Sequence, residues 1–106
     1  MGLLELFNMI DINKGVKKYT DTPNAKLIDV RTPEEYKQGH IEESINIPLQ
    51  NIKEVEQTVA NKATPLFVYC RSGNRSGQAA TILKSMGYDY VENIGGIVSY
   101  KGKIER

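Results

Sequence analysis

The sequence is poor in the residues that build disulfides and metal sites. It contains one cysteine and one histidine, and it has no tryptophan. A lone cysteine cannot form an intramolecular disulfide, so we do not expect an oxidising compartment. One histidine with one cysteine also cannot supply the four ligands of a usual zinc site. We therefore predict no metal and no cofactor.

Charge of one sign is not in excess either. Fourteen basic and thirteen acidic residues give a formal net charge of +1, which offers no global reason to bind nucleic acid or an anionic membrane. No apolar run approaches the roughly 20 residues of a membrane span, and the first residues lack the pattern of a signal peptide. These absences favour a cytoplasmic protein, and without an obvious apolar stripe we expect a monomer.

What is present fits one α/β domain. A length of 106 residues suits a single domain, predicted here to span 1–106. Apolar and β-prone runs predict strands at 7–10, 26–30, 45–47, 65–69 and 88–91. Patterns typical of helices occur near 12–19, 32–38, 51–59 and 78–86, and glycines bracket a last short helix after residue 96. Because strands alternate with helices, we predict a mainly parallel sheet, whose ligands bind at the carboxyl ends of the strands.

The clearest helix start is the segment TPEEY. Thr32 is a good N-cap, Pro33 suits the first helical position, and Glu35 stands where a capping box requires an acidic side chain. Gly39 is expected to end this helix.

The segment LFVYCRSGNRSG, residues 66–77, carries the chemistry. The predicted strand stops at Cys70, and the next helix is expected to begin near Ser76. Between them Gly73 permits a positive φ, and Asn74 tolerates one better than most residues do. Such a loop can turn several N–H groups inward and form a cradle for an anion, to which the helix N-terminus adds positive potential.

Two arginines strengthen this interpretation. Arg71 and Arg75 place full positive charges beside Cys70. Such surroundings lower the pKa of a thiol from about 8.5, so we predict a thiolate nucleophile inside its own oxyanion site. A buried, inert cysteine is the commoner role for a lone cysteine, but it does not explain two arginines and a glycine around the thiol. An anion-binding loop without chemistry remains a second alternative.

Three segments of the chain resemble the rhodanese family. CRSGNRS, residues 70–76, is similar to the active-site loop of that family, and LIDVRTPEEYKQGHIEESINIP, residues 27–48, is similar to its upstream signature. ENIGGI, residues 92–97, is similar to its final segment, in which a strand leads to paired glycines. Family members often carry a tryptophan after this pair, where this chain offers Tyr100.

This resemblance implies a rhodanese-like three-layer domain, with a five-stranded, mainly parallel sheet and helices on both faces. It also implies a sulfurtransferase, in which Cys70 takes a sulfane sulfur from thiosulfate or a similar small anionic donor as a persulfide. A thiophilic acceptor, such as cyanide, would then remove that sulfur. Arg71 would help to bind the donor. The implied substrate and anion-binding loop consists of Arg71, Ser72, Gly73, Asn74, Arg75 and Ser76.

Three further residues are expected to support the loop. Asp29 and Arg31 lie two apart at a strand end and so face the same way. We predict that Asp29 or Glu35 pairs with Arg75 and fixes the shape of the loop; the alternative is a solvated surface pair. His40 is expected to be structural, because a thiolate that is already formed needs no general base.

Other functions stay open at this point. Related folds use a Cys/Arg loop in phosphatases and arsenate reductases, but only four residues separate Cys70 from Arg75, one fewer than in the phosphatases. The shorter loop suits a single sulfur better than a phosphoryl group. The module could also carry a persulfide to a partner protein with little turnover of small molecules, or sense oxidants through Cys70.

Overall fold

The computed structural model describes residues 10–106. The helices in this part of the chain are α1 (Ile12–Asp21), α2 (Pro33–Gln38), α3 (Val55–Thr58) and α4 (Asn74–Ser85). The strands are β1 (Lys26–Asp29), β2 (His40–Ile41), β3 (Ile45–Asn46), β4 (Leu66–Cys70), β5 (Val91–Gly96) and β6 (Ile104–Glu105). Short 3₁₀ helices occupy Leu49–Glu54 and Ile97–Ser99.

The main sheet is parallel, as predicted. Its strand order is β3-β1-β4-β5, and every neighbouring pair runs parallel. The predicted strand at 7–10 lies outside the described residues except for Ile10, which belongs to no strand. The sheet therefore has four strands within residues 10–106, and β4 lies between two neighbours.

Each face of the sheet has its own apolar core. All five residues of β4 are buried, and they alternate between the two faces. Leu66, Val68 and Cys70 pack with side chains of the first 3₁₀ helix, α3 and α4. Phe67 and Tyr69 pack on the other face with residues that include Ile12 of α1 and Ile94 of β5. Helices on both faces give the predicted three-layer α/β architecture.

The helix ends follow the local sequence signals. Thr32 and Glu35 form the complete capping box at the start of α2, with Pro33 at the first helical position. Gly15 lies inside α1, where glycine weakens a helix. A Cβ at this position would collide with the side chain of Ile94, so glycine allows α1 to lie directly on β5.

Two predicted elements have different bounds in the structure. The predicted helix at 51–59 is a 3₁₀ helix that continues into α3, and Asn51 has a non-helical conformation that kinks it. Its apolar face was predicted correctly, since Ile52, Val55 and Val59 are all buried. The strand predicted at 88–91 begins only at Val91 and runs to Gly96. Before it, the Tyr88 hydroxyl donates to the carbonyl of Val59 at 2.6 Å, a contact outside the sheet.

A second, antiparallel sheet was not predicted. It pairs β2 with β6, and each strand has only two residues. Strands this short leave no readable periodicity in a sequence. Within residues 10–106, no helix combines the length and the apolar character that a membrane crossing requires.

Candidate active site

Cys70 lies at the carboxyl end of β4, where ligands bind in parallel sheets. Cys70 is 1% exposed, and its thiol packs on the face of the sheet that α4 covers. In the ladder between β4 and β5 it stands opposite Gly96. The predicted position of the thiol, at a strand end directly before a helix, is confirmed.

The loop after Cys70 is shorter than predicted. Helix α4 begins at Asn74 rather than near Ser76, and Gly73 is its N-cap with a φ of 106°. Asn74 therefore has helical rather than left-handed geometry, and its tolerance of a positive φ is not used. One glycine is enough for the turn, because the helix starts immediately after it and directs its N-terminal N–H groups toward the thiol.

Hydrogen-bond donors converge on the sulfur atom. The Gly73 N–H donates to Cys70 Sγ at 3.0 Å, and Ser76 Oγ lies 3.4 Å from the same atom. Burial raises the pKa of the Cys70 thiol, but hydrogen bonds from the Ser76 hydroxyl and from the backbone N–H groups of Ser76, Gly73 and Ser72 outweigh it. The pKa is consequently lowered, so these donors stabilise the thiolate form of this buried sulfur.

Arg75 is held by Glu35, one of its two predicted partners. The guanidinium donates from Nη1 to Oε1 at 2.7 Å and from Nη2 to Oε2 at 3.0 Å, and both side chains are partly buried. Glu35 Oε1 also accepts the Thr32 N–H at 3.1 Å, so one carboxylate closes the capping box and grips Arg75. The hydrogen bond from Arg75 lowers the pKa of Glu35 to about 2.

Asp29 and Arg31 pair with each other instead. Arg31 Nη2 donates to Asp29 Oδ2 at 2.7 Å and to the Gly39 carbonyl at 2.7 Å. Asp29 is fully buried and stands beside Tyr69 in the ladder between β1 and β4. Of the two partners predicted for Arg75, the structure pairs Glu35 with it and not Asp29, because Arg31 already satisfies the buried Asp29 carboxylate.

The remaining predicted residues take peripheral positions. The side chain of Arg71 is exposed, and it makes no ion pair within the described part of the chain. His40 stacks on the ring of Tyr36 at 3.7 Å between centroids, and its Nδ1 lies 2.8 Å from the Tyr36 carbonyl. These contacts agree with the structural role expected for His40. Among residues 10–106, no three His, Cys, Asp or Glu side chains cluster as a metal site.

Sequence reasoning missed the contribution of β5 to the loop. A Cβ at Gly96 would collide with the carbonyl of Arg71, so the loop lies directly on this glycine. The Val98 N–H donates to the same carbonyl at 3.2 Å. Asn93 Nδ2 donates to the Gly73 carbonyl at 3.0 Å. The paired glycines of ENIGGI indicate that another backbone segment approaches closely here, but the sequence does not show which segment that is.

Comparisons with known proteins agree with this geometry. The family model described as "Rhodanese-like domain" matches residues 13–103. The thiosulfate sulfurtransferase PspE of Escherichia coli (strain K12) is 51% identical over 71 residues, which cover 66% of this chain and 68% of that protein. A protein named sulfurtransferase from Allochromatium vinosum is 35% identical over 96 residues, covering 90% of this chain and 89% of that protein.

A solved structure gives the same result. The structure titled "rhodanese with anions from E. coli" superposes with a TM-score of 0.73 at 42% identity, covering 77% of this chain and 98% of that one. The range matched by the family model, residues 13–103, includes the strand that ends at Cys70, the capped helix α2 and the glycine pair of β5. This chain therefore belongs to the rhodanese-like domain family and is a sulfurtransferase.

Proposed function

We propose that this sulfurtransferase moves a sulfane sulfur from thiosulfate, or from a similar anionic donor, to a thiophilic acceptor through a persulfide on Cys70. In the first half-reaction the Cys70 thiolate attacks the outer sulfur of thiosulfate. A new S–S bond forms, and the bond to the sulfite sulfur breaks with its electron pair leaving on sulfite. The negative charge then resides on the outer sulfur of Cys70–S–S⁻.

The second half-reaction restores the thiolate. A nucleophilic acceptor, for example cyanide, attacks the outer sulfur and forms a new bond to it. The S–S bond breaks, its electron pair returns to Cys70 Sγ, and the product leaves as thiocyanate. Charge and atoms balance in both steps, so no oxidant, metal or cofactor is required, and ping-pong kinetics are expected.

The observation that carries this proposal is the set of donors around Cys70 Sγ. Backbone N–H groups of Ser72, Gly73 and Ser76, together with the Ser76 hydroxyl, act on a sulfur that is almost fully buried. Preorganised donors of this kind stabilise negative charge without having to reorganise during the reaction. They would favour the attacking thiolate and, when sulfur is loaded, the anionic outer sulfur.

The outer part of the loop is proposed to bind the donor. Arg71 and Ser72 are exposed beside a small cavity that Gly73, Gly95, Gly96 and Val98 help to line. The exposed guanidinium of Arg71 is suited to attract a dianion before the sulfur is transferred. Arg75 is already committed to Glu35, so we assign it the task of holding the first turn of α4 rather than that of binding substrate.

A persulfide carrier for a partner protein is the second candidate. Val98 is 68% exposed, unusually open for an apolar side chain, and it lies next to the loop through the contact of its N–H with Arg71. An apolar side chain at the rim of the cavity suits a protein surface better than a small inorganic ion. The carrier role predicts slow turnover with cyanide and a stable persulfide that a protein thiol can remove.

Intact mass spectrometry tests the shared chemistry. Reduced protein is incubated with thiosulfate, weighed, treated with cyanide and weighed again, with Cys70→Ser in parallel. We expect the wild type alone to gain one sulfur atom and to lose it on addition of cyanide. A folded wild-type protein that gains no sulfur from thiosulfate would contradict the proposed donor, and phosphatase and peroxide-oxidation assays would then decide between the alternatives.

We further propose that residues 1–106 form a single domain that works as a monomer in the cytoplasm. The thiolate of Cys70 functions only while it is kept reduced, which supports a reducing compartment. One family model spans residues 13–103, which supports a single domain. Cell fractionation, sedimentation and limited proteolysis test these three statements; a periplasmic location, a stable dimer or an early internal cleavage would each contradict one of them.

A further inference from the structure

The side-chain amide of Asn93 forms hydrogen bonds beside the Cys70 loop through both its nitrogen and its oxygen. Its Nδ2 donates to the Gly73 carbonyl at 3.0 Å, and its Oδ1 accepts the Gly95 N–H at 3.0 Å. The amide orientation is unambiguous, because a carbonyl can only accept and a backbone N–H can only donate. Asn93 thus ties β5 to the peptide that begins at Gly73, the residue whose own N–H faces Cys70 Sγ.

Ser76 has two acceptors and one proton. Its Oγ lies 2.7 Å from Asn93 Oδ1 and 3.4 Å from Cys70 Sγ, and the residue is fully buried. A hydroxyl donates one hydrogen bond, so it can serve only one of these atoms at a time. The choice depends on where the negative charge is, since an ionised acceptor forms the stronger bond.

We propose that Asn93 is a positioning residue that holds Gly73 against Cys70 and accepts the hydrogen bond of the Ser76 hydroxyl whenever Sγ carries no charge. The inference deepens the proposed function and rests on it, because it assigns a proton position to each stage of sulfur transfer. It adds no covalent step: only the hydroxyl hydrogen of Ser76 rotates between two acceptors.

The three states of Cys70 then differ in one hydrogen bond. With the neutral thiol, Ser76 donates to Asn93 Oδ1, which is the nearer acceptor. With the thiolate, Ser76 turns to Sγ, and Asn93 Oδ1 keeps the Gly95 N–H. With the persulfide, the charge moves to the outer sulfur and Sγ becomes neutral. The Ser76 hydroxyl then donates its hydrogen bond to Asn93 Oδ1 again. No buried polar atom is orphaned in any state, which keeps the exchange inexpensive.

The charged groups around the loop stay constant through this exchange. Arg75 of α4 is a cation whose charge interacts with that of Cys70, and Glu35 of α2 and Asp29 of β1 interact with the same guanidinium. Arg71 projects from the loop itself, with its side chain exposed. None of these groups hydrogen-bonds to Asn93 within residues 10–106. The charged side chains that line a cavity with Asn93 are Asp11, Lys14, Lys18 and Glu92. Substitutions at Asn93 leave all of these charges in place.

The first test measures the pKa of Cys70 from the pH dependence of alkylation by iodoacetamide. Ser76→Ala is expected to raise that pKa by about one unit, the effect of losing one hydrogen bond to a charged group. In Ser76→Ala the hydroxyl that bonds either Cys70 or Asn93 is absent, so adding Asn93→Ala tests only the hydrogen bond between Asn93 and Gly73. The double variant should raise the Cys70 pKa by about a further half unit, a threefold change in the ionisation constant.

Asn46→Ala, in the same Ser76→Ala background, is the matched control. Asn46 is also partly buried and also donates to backbone carbonyls, those of Asp29 and Arg31, but it lies on β3 away from Cys70. It should destabilise the fold comparably while leaving the Cys70 pKa where Ser76→Ala puts it. A pKa change with Asn93→Ala no larger than that with Asn46→Ala would overturn the holding role.

A second test needs no substitution of Asn93 and so avoids the risk of misfolding. In wild-type protein the Gly95 amide proton signal is followed by NMR while pH is raised through the ionisation of Cys70. It should move downfield, because Asn93 Oδ1 loses one of two donors and binds Gly95 more strongly. In Ser76→Ala this movement should be absent, although the sulfur still ionises. Equal movement in both proteins would overturn the proton exchange.

Neither test uses a sulfur donor, so its failure is separable from failure of the proposed function. Loss of sulfur uptake in the mass experiment, with the Gly95 signal behaving as expected, would leave the proton exchange intact and remove only its assignment to a persulfide cycle. Normal sulfur uptake with equal Gly95 movement would retain the sulfurtransferase and remove the role of Asn93.

Discussion

The two sides of the Cys70 loop are held by different kinds of contact. On the side of α2, the bidentate ion pair between Glu35 and Arg75 holds the first turn of α4. On the side of β5, contacts are uncharged: Gly96 lies under the Arg71 carbonyl, and Asn93 donates to Gly73. Charged contacts respond to pH and salt, whereas close backbone packing depends on shape alone. We therefore expect acid and salt to weaken the contacts on the α2 side more than the backbone packing on the β5 side.

A second difference exists within the charged side itself. The Asp29–Arg31 pair is almost fully buried, with side-chain exposures of 0% and 7%. The Glu35–Arg75 pair retains 27% and 33% exposure. Water screens the second pair but not the first, so the two pairs should respond very differently when one partner is removed.

The largest effect is expected from breaking the buried pair. Arg31→Met should lower the free energy of unfolding by about 3–5 kcal/mol, because it leaves the Asp29 carboxylate buried without its cation. Urea denaturation measures this. Lys17→Met is the control, since Lys17 forms an exposed pair with Asp21, and we expect little change there. A loss for Arg31→Met as small as that of the control would show that Asp29 is satisfied by other groups.

The next effect concerns the uncharged side. In Gly96→Ala the new Cβ must displace the Arg71 carbonyl. Because misplacing a reactive group by about 1 Å can reduce a rate about 100-fold, we expect a loss of that order, equivalent to about 2.7 kcal/mol on the barrier. Thiocyanate formation from thiosulfate and cyanide measures it, with circular dichroism to verify folding.

Gly77→Ala provides the matched comparison for Gly96. A Cβ at Gly77 would meet Asn93 Nδ2 at 3.4 Å, an ordinary van der Waals contact, and this glycine lies within α4, where alanine is favourable. We expect nearly full activity. Comparable rates in the two variants would mean that the loop yields easily and that β5 does not fix it.

The smallest effect is expected at the half-exposed pair. Because the folded pKa of Glu35 is lowered to about 2 from 4.5, its contribution to stability is complete above pH 4.5 and is lost as pH falls toward 2. Glu35→Gln should therefore be less stable than wild type by about 1 kcal/mol at neutral pH, and the difference should shrink on acidification.

Thermal unfolding across this pH range, with Glu34→Gln as control, measures the effect. Glu34 lies in the same first turn of α2, but it forms no ion pair within residues 10–106. If the stability difference between wild type and Glu35→Gln did not change between pH 5 and pH 2.5, another carboxylate would have to balance Arg75.

Local signals predicted the parts of the site that lie close together in the chain. Thr32 and Glu35 form their capping box within four residues, with Pro33 at the first helical position, and this was predicted from sequence. The position of Cys70 at a strand end followed from the apolar run before it and the glycine after it. The exact start of α4 did not, because a helix can absorb Asn74 and Arg75 at little cost once Gly73 makes the turn.

Contacts between distant segments were predicted only as alternatives or not at all. The sequence offered Asp29 and Glu35 as partners for Arg75, and chemistry alone does not choose between two carboxylates. The choice depends on Arg31, which forms a buried ion pair with Asp29 and leaves Glu35 as the partner of Arg75. Asn93 gave no signal, since a single asparagine in a strand has no distinctive pattern until the fold shows which carbonyl it faces.

The sequence by itself determined the chemistry of the loop: a cysteine, a glycine that turns the chain, and a helix N-terminus lie within a few residues, so backbone geometry alone brings N–H groups to the sulfur. The tertiary structure decided what holds that loop in place. Parallel order places β5 directly beside β4, and only this arrangement brings Asn93 and Gly96 against Gly73 and Arg71. Side chains reach only a few ångströms, so partners distant in sequence are selected by the packing of strands and helices and not by local pattern.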